Sequence, residues 1–364
     1  MKAIAASIVG PMTFIVVAAL SHTTDAAAQS SEYYAGKTLR VIVGLEVGGS
    51  ADVFTREFTA HLRKNIPGNP TVVVQNMPGA GTYAALNFLA ERAAPDGLTI
   101  VYNNYAWLGQ AFGSSALRMR YDQFEFLGGF GDTRVNYMRT DAVAGGVKKP
   151  ADIMKAENLI AGSNSVGAGD SSGALAELSL KVLGVKHKMI GGYRGGADIY
   201  LALQRGEVQF HNTGIGTFRR RSGPFVKSGE GIGVSYLVPV GANGEFERSK
   251  AITEMPAFPD LYREIHGRPP FGPLWDAFNW FTRQTSEMYY LGLAPRGTRP
   301  DALAALRQGF EHTSTDADFT KEMVSKYGFS MPYVGIAQGQ AIFRSLTEAS
   351  PAWLGTLRSE MGVQ

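Results

Sequence analysis

Residues 169–173 read GDSSG. This is the Gly-x-Ser-x-Gly spacing in which a serine on a sharp strand-to-helix turn attacks an ester or amide carbonyl. That chemistry needs the serine straight after a strand and a base within hydrogen-bond reach. Here the preceding strand pattern ends near Ser163, several residues too early, and His61, His187, His211, His266 and His312 are scattered through strand and helix patterns. A secreted serine hydrolase using Ser171 therefore stands only as the second reading. GAGTYA (79–84) fits the Gly-x-Gly-x-x-Ala of a dinucleotide loop. Asn76, Met77 and Pro78 separate it from its strand, however, and the next strand ends in Asn103 and Asn104 instead of the acid that a ribose requires. The histidines and carboxylates show no metal-ligand spacing, and no pair of carboxylates suits acid–base work. What recurs is Gly, Ser, Thr and Asn in loops at strand ends, the material of a binding cleft with no catalytic set, no metal and no cofactor.

The first such loop is EVGGSAD, residues 46–52. Gly48 and Gly49 allow positive φ and a close approach to the backbone. Ser50 or Asp52 can cap the helix that follows, whose core stripe is Phe54, Phe58, Leu62 and Ile66. The free N–H groups of its first turn, with the helix dipole, favour an anion.

The elements that must hold these loops alternate. LRVIV precedes the first helix, TVVVQ (71–75) precedes NMPGAG and a helical stretch, and LTIVYNN (98–104) follows. This βαβαβ order predicts a mainly parallel sheet with its ligand crevice at the carboxyl ends of the strands. Residues 124–140 read as extended chain leaving this unit. A second unit follows: strand NLIAGS, loop NSVGAGDSSG, a helix, GGYRGG, another helix and strand EVQFHNT. Two such units imply α/β architecture with two lobes and a cleft between them. The segment 240–290, rich in proline and aromatics, has weak periodicity and is assigned to the first lobe.

The 364 residues suffice for two such lobes, and 45% hydrophobic with 18% charged residues is globular composition. A net charge of +3 carries no concentrated basic face, so nucleic acid is not an expected partner. The one basic cluster, Arg219 to Arg221, reads as solvated surface rather than a docking patch. Lys2, an apolar stretch to Leu20 and a small-residue run have the layout of a secretory signal peptide cleaved near Ala28. A membrane anchor is the rival, disfavoured by Gly10 and Pro11. Without cysteine, disulfides, thiolate metal sites and a lipid-modified cysteine are excluded. The expected compartment is the periplasm.

LRVIVGLEVGGSADVFTR, VVVQNMPGAG, AAPDGLTIV, GGYRGG and LAPRGTRPDALAAL, in that order, resemble the Bug (tripartite tricarboxylate transporter substrate-binding, TctC-like) family over roughly residues 36–335. The resemblance implies a two-lobed periplasmic binding protein fold (type II, flytrap) that closes on a small organic carboxylate or related amide. It also implies membrane transporter subunits or a sensor as partner and a monomeric chain. The expected division is a signal peptide at 1–28, lobe 1 at 29–135 and 246–364, and lobe 2 at 136–245. Carried over by position, the ligand-binding residues are Val47, Gly48, Gly49, Ser50, Ala51 and Asp52, then Asn76, Gly79, Ala80, Gly81 and Thr82, then Tyr102 and Asn103. Those of the second lobe are Ser163, Asn164 and Ser165, then Tyr193, Arg194 and Gly195, then Asn212 and Thr213. Gly44 stands where the family usually has proline, and His211 where it usually has aspartate. Arg194 is the expected cation for a ligand carboxylate. Glu46 either faces the ligand, favouring an amine or amide, or faces solvent; the sequence leaves both open.

Overall fold

The computed structural model describes residues 33–165 and 170–363. The expected signal peptide lies outside the described residues, as does the middle of the loop before GDSSG.

Two sheets form the molecule. The first contains β1 (Thr38–Val43), β2 (Thr71–Asn76), β3 (Thr99–Asn104), β4 (Glu125–Phe130), β10 (Tyr290–Ala294) and β11 (Tyr333–Val334), in the order β11-β4-β10-β3-β1-β2. The second contains β5 (Arg134–Arg139), β6 (Leu159–Gly162), β7 (His187–Ile190), β8 (Phe210–Gly214) and β9 (Gly231–Tyr236), in the order β7-β6-β8-β5-β9. The strands that launch the glycine loops run parallel: β1 with β2 and β3, and β6 with β7 and β8. Each sheet also receives one antiparallel strand carried over from the other lobe. β5 lies between β8 and β9, and β10 lies between β3 and β4. The stretch expected as one extended segment, 124–140, is thus two strands in two sheets, separated by only residues 131–133. This is the two-lobed architecture expected from the sequence, and the crossing at residues 131–133 is short enough to act as a hinge.

Hydrophobic periodicity explains the first lobe's core. Phe54, Phe58 and Leu62 recur on one face of the helix Ser50–Asn65, and with Ile66 they are buried. Phe58 stacks on Tyr102 at 5.0 Å and meets Phe310 at 4.9 Å. Truncating such a residue to alanine costs about 3–5 kcal/mol.

Residues 246–287 depart from their expected place in the first lobe. The helix Phe258–His266 buries Phe258, Leu261 and Tyr262 together with Ile153, Ala156 and Leu159 of the second unit. His266 Nε2 lies 3.2 Å from the Leu183 carbonyl, and Lys149 pairs with Glu264 at 2.9 Å. The helix Pro273–Glu287 bridges the lobes, because Trp280 and Phe281 pack edge-on against Trp107 while the same core contains Leu175 and Leu178. Its weak periodicity follows from burial on more than one side. Among the described residues no helix is long and apolar enough to cross a membrane.

The arginine cluster also departs from expectation, since it ties the lobes together. Arg219 bonds the Tyr327 carbonyl and pairs with Glu254 at 2.7 Å. Arg220 faces Glu57 at 3.6 Å, and Arg221 Nη2 donates to the Gly48 carbonyl at 2.7 Å. Neighbouring acceptors on the opposite lobe, invisible in the local sequence, draw these side chains inward.

Candidate functional site

Between the lobes, at the carboxyl ends of β1, β3, β6 and β8, lies a cavity of about 40 Å³. Leu45, Glu46, Gly49, Ser50 and Asn104 line it from the first lobe, and Asn164, Asp170, Ser172, Gly195, Gly196, His211, Asn212 and Thr213 from the second. Arg134 and Tyr289, which flank the crossings, complete the wall. The larger spaces lie elsewhere: a groove of about 710 Å³ along 236–251 and one of about 600 Å³ beside Pro269–Trp275. Size usually favours the largest pocket, but neither groove is lined by a buried cation, whereas the small cavity gathers two helix N-termini and the buried Arg134. A space of this size holds a few waters, so an organic solute calls for a wider separation of the lobes.

Two helices aim their N-termini at this space from opposite lobes. Gly49 is the N-cap of Ser50–Asn65 and Gly195 that of Gly196–Gln204, and neither helix has a side-chain cap. The expected cap by Ser50 or Asp52 does not form. Asp52 instead reaches back to the Gly48 N–H at 2.8 Å and accepts from Arg56 and from Asn76 Nδ2 at 2.9 Å. Burial alone would raise its pKa, but these bonds outweigh burial and hold it below the usual value. Asn76 Nδ2 also donates to the Leu45 carbonyl at 2.8 Å. Asp52 and Asn76 thus shape the loop rather than line the cavity, and Gly48 within it takes φ +81°.

The third helix at the site, Ser171–Leu183, is capped. Asp170 Oδ1 accepts from Ser172 N at 2.9 Å, while Oδ2 accepts from Asn164 N at 2.9 Å and Ser163 Oγ at 3.0 Å. Ser171 is its first residue and is buried. The hydrogen bonds of His61, His187, His211 and His266 go to Glu322 and to the carbonyls of Val185, Gly162 and Leu183, so none of these rings serves Ser171 as a base.

Arg134 is the charge that sequence reading missed. It is 1% exposed, with Nε donating to Asn212 Oδ1 at 3.1 Å, Nη1 to Asp132 Oδ2 at 3.3 Å and Nη2 to Ser172 Oγ at 2.7 Å. Its Cζ lies 4.4 Å from the Tyr289 ring centroid. A guanidinium has five N–H donors; these three bonds leave two. A polar ladder behind the site fixes its orientation. Asn212 Nδ2 donates to Asn136 Oδ1 at 2.9 Å, and Asn136 Nδ2 donates to Ser179 Oγ at 3.0 Å. The register that pairs Asn136 with Asn212 puts Arg134 opposite Gly214. Polar residues at 134 and 136 alternating with Val135 and Tyr137 are the sequence signal that could have revealed it.

Burial raises the Asp132 carboxyl to about 6 even though Arg134 beside it works the other way. Burial, with Arg134 adding to it, lowers His211 to about 3. His211 is therefore neutral, and its Nδ1 lies 3.4 Å from the Gly162 carbonyl. That contact assigns the proton to Nδ1 and leaves Nε2, on the side facing Gly196, as an acceptor.

Of the sequence-derived candidates, the fold brings Gly49, Ser50, Asn164, Gly195, Asn212 and Thr213 to the cavity. Val47 is 68% exposed, while Ala51 and Tyr102 belong to the first lobe's core. Ser163 and Ser165 sit behind the wall, and Tyr193 packs against the Ile199 cluster. Gly79, Ala80, Gly81 and Thr82 form a turn away from the cavity, all at positive φ. Asn103 is buried beneath Gly44, and neither atom of its amide has a protein partner. Arg194 lies just before the helix Gly196–Gln204, is 76% exposed and is paired with Asp198 of its first turn at 2.8 Å, so it is not part of the cavity wall, although it feels the charge of Glu46. Glu46 does line it and comes within 3.9 Å of the Cβ position of Gly195. Leu45, Asn104, Asp170, Ser172, Gly196, His211 and Tyr289 complete the set that sequence reading did not assign.

No family model matches the chain, and no curated protein does. Among solved structures it is similar to the periplasmic binding protein BugD, at 20% identity and TM-score 0.67 over 91% of this chain and 99% of that one. It is similar to MatC from Rhodopseudomonas palustris with bound malate, at 19% identity and TM-score 0.64 over 88% and 99%. R. palustris Rpa4515 with adipate matches at 16% identity and TM-score 0.67 over 90% and 97%. At such identities the likeness establishes the fold: this chain has the two-lobed fold of periplasmic binding proteins.

Proposed function

We propose that the chain is a member of the Bug family acting in the periplasm as a solute-binding protein without catalysis. It captures a small molecule bearing a carboxylate between its lobes and presents it to a membrane transporter or sensor. The observation that carries this reading is Arg134, a buried guanidinium with two N–H groups to spare between two uncapped helix N-termini. Charge-assisted bonds from a guanidinium and from helix N–H groups are the natural grip on a carboxylate. The neighbours with malate and adipate agree with it in ligand class. Closure selected by ligand is in keeping with the short crossing at residues 131–133.

The test is native mass spectrometry on protein unfolded, freed of small molecules, refolded and mixed with a pool of organic acids. The expected result is retention of one or a few acids by the wild type and of none by Arg134→Met. Retention of nothing by the wild type, or equal retention by both proteins, would overturn the reading.

A further inference from the structure

The charge balance around the cavity differs from what a dicarboxylate needs. The titratable side chains on its wall, besides Tyr289, are Glu46, Arg134, Asp170 and His211. His211 is neutral, and its Nε2 is an acceptor. Asp132 backs Arg134 directly, so this buried cation arrives already paired. Asp170 is engaged by three donors at the start of its own helix, which offsets its charge. What remains is Glu46, which also feels the exposed, Asp198-paired Arg194 of the second lobe, against the two uncapped N-termini, each worth about half an elementary positive charge. The site is thus near electrical neutrality before any ligand enters, and it offers acceptors as well as donors.

A dianion held there would leave about two negative charges uncompensated between the lobes, where charge interactions are stronger than in bulk water. A molecule with one carboxylate and a separate donor group matches both ends. Its carboxylate meets Arg134 and the helix N–H groups, while its ammonium or amide NH2 meets Glu46 and His211 Nε2. We infer that this protein's ligand is a small zwitterion or amide-bearing monocarboxylate, and that Glu46 is the residue that rejects dicarboxylates. The inference rests on the cleft being the ligand site. It concerns which carboxylates enter, not whether one does.

The test is titration calorimetry at neutral pH with three series matched in chain length from two to six carbons. These are α,ω-dicarboxylates, their monoamides and the corresponding amino acids, both α- and ω-amino. The expected result is that an amino acid or monoamide binds at least tenfold more tightly than the dicarboxylate of the same length. Glu46→Gln should lose at least tenfold for the amino acid and gain for the dicarboxylate, with unchanged thermal unfolding. Arg134→Met should weaken all three series. A wild type that prefers dicarboxylates, or a Glu46→Gln variant with unaltered preference, would overturn the inference while Arg134→Met still reports on the site itself. No binding in any series would overturn the inference and the proposed function together.

Discussion

Arg134→Met tests the site and the fold at once, because the side chain it removes is half of a buried ion pair. Both side chains of the pair, Arg134 and Asp132, are 1% exposed. Removing one partner leaves a carboxylate buried without its counter-charge, a loss of about 3–5 kcal/mol. For a domain of 150–250 residues each kcal/mol moves Tm by about 2–4 °C, so the variant should melt about 6–20 °C lower. The double variant Asp132→Asn with Arg134→Met removes both charges and should recover at least about 2 kcal/mol of this while still failing to bind ligand. The pH dependence has a definite sign. Burial holds Asp132 at about 6 in the fold, against 3.8 for an unhindered aspartate. Between those values the folded chain keeps a proton that the unfolded chain has lost, so stability falls as pH rises through about 4 to 6. A raised carboxyl of this kind makes the loss on the order of a few kcal/mol. Urea unfolding of wild type and Asp132→Asn across pH 3.5–7 isolates that contribution as a difference. Equal melting of the single and double variants, or a flat difference across that range, would refute the pairing argument.

Other consequences follow from particular contacts. A Cβ on Gly44 would stand 2.6 Å from Asn103 Nδ2 and 3.0 Å from the Thr82 carbonyl. Gly44→Ala should therefore cost about 1–3 kcal/mol, and adding Asn103→Ala should restore part of it; a neutral Gly44→Ala in urea unfolding would show that the packing is looser. Arg221→Ala removes the bond to the Gly48 carbonyl that joins the lobes at the first loop. Ligand affinity should fall about tenfold, equivalent to 1.4 kcal/mol, and X-ray scattering of the ligand-saturated variant should report a larger radius of gyration than wild type. Equal radii and affinities would remove Arg221 from closure. Ser171→Ala should leave ligand affinity within a few-fold by calorimetry, and any ester turnover by the wild type that vanishes in this variant would revive the hydrolase reading.

The first lobe's framework was legible because it follows simple periods. The apolar stripe of Ser50–Asn65 recurs at helical spacing, and its β-branched strands end in glycine loops. Gly49, Ser50, Asn164, Gly195, Asn212 and Thr213 could be found for the same reason, since loops at strand ends converge in any such fold. Arg134 was hidden because one arginine in an extended run reads as solvent-facing until sheet register pairs its strand with β8. Arg194 was misleading, because it stands just before its helix and pairs with Asp198 in the first turn. The arginine cluster and residues 246–287 owe their placement to the opposite lobe or to several surfaces at once, and local pattern carries no record of such contacts.

The central claim is that a small carboxylate-bearing molecule binds between the lobes, and thermal unfolding of ligand-free protein with a panel of organic acids, amino acids and amides tests it most directly. A true ligand at a hundred times its Kd adds about 2.7 kcal/mol, which is about 5–10 °C for lobes of this size. The account predicts such a shift for one chemical class in the wild type and its absence in Arg134→Met. Unchanged melting across the whole panel, or an equal shift in both proteins, would contradict it.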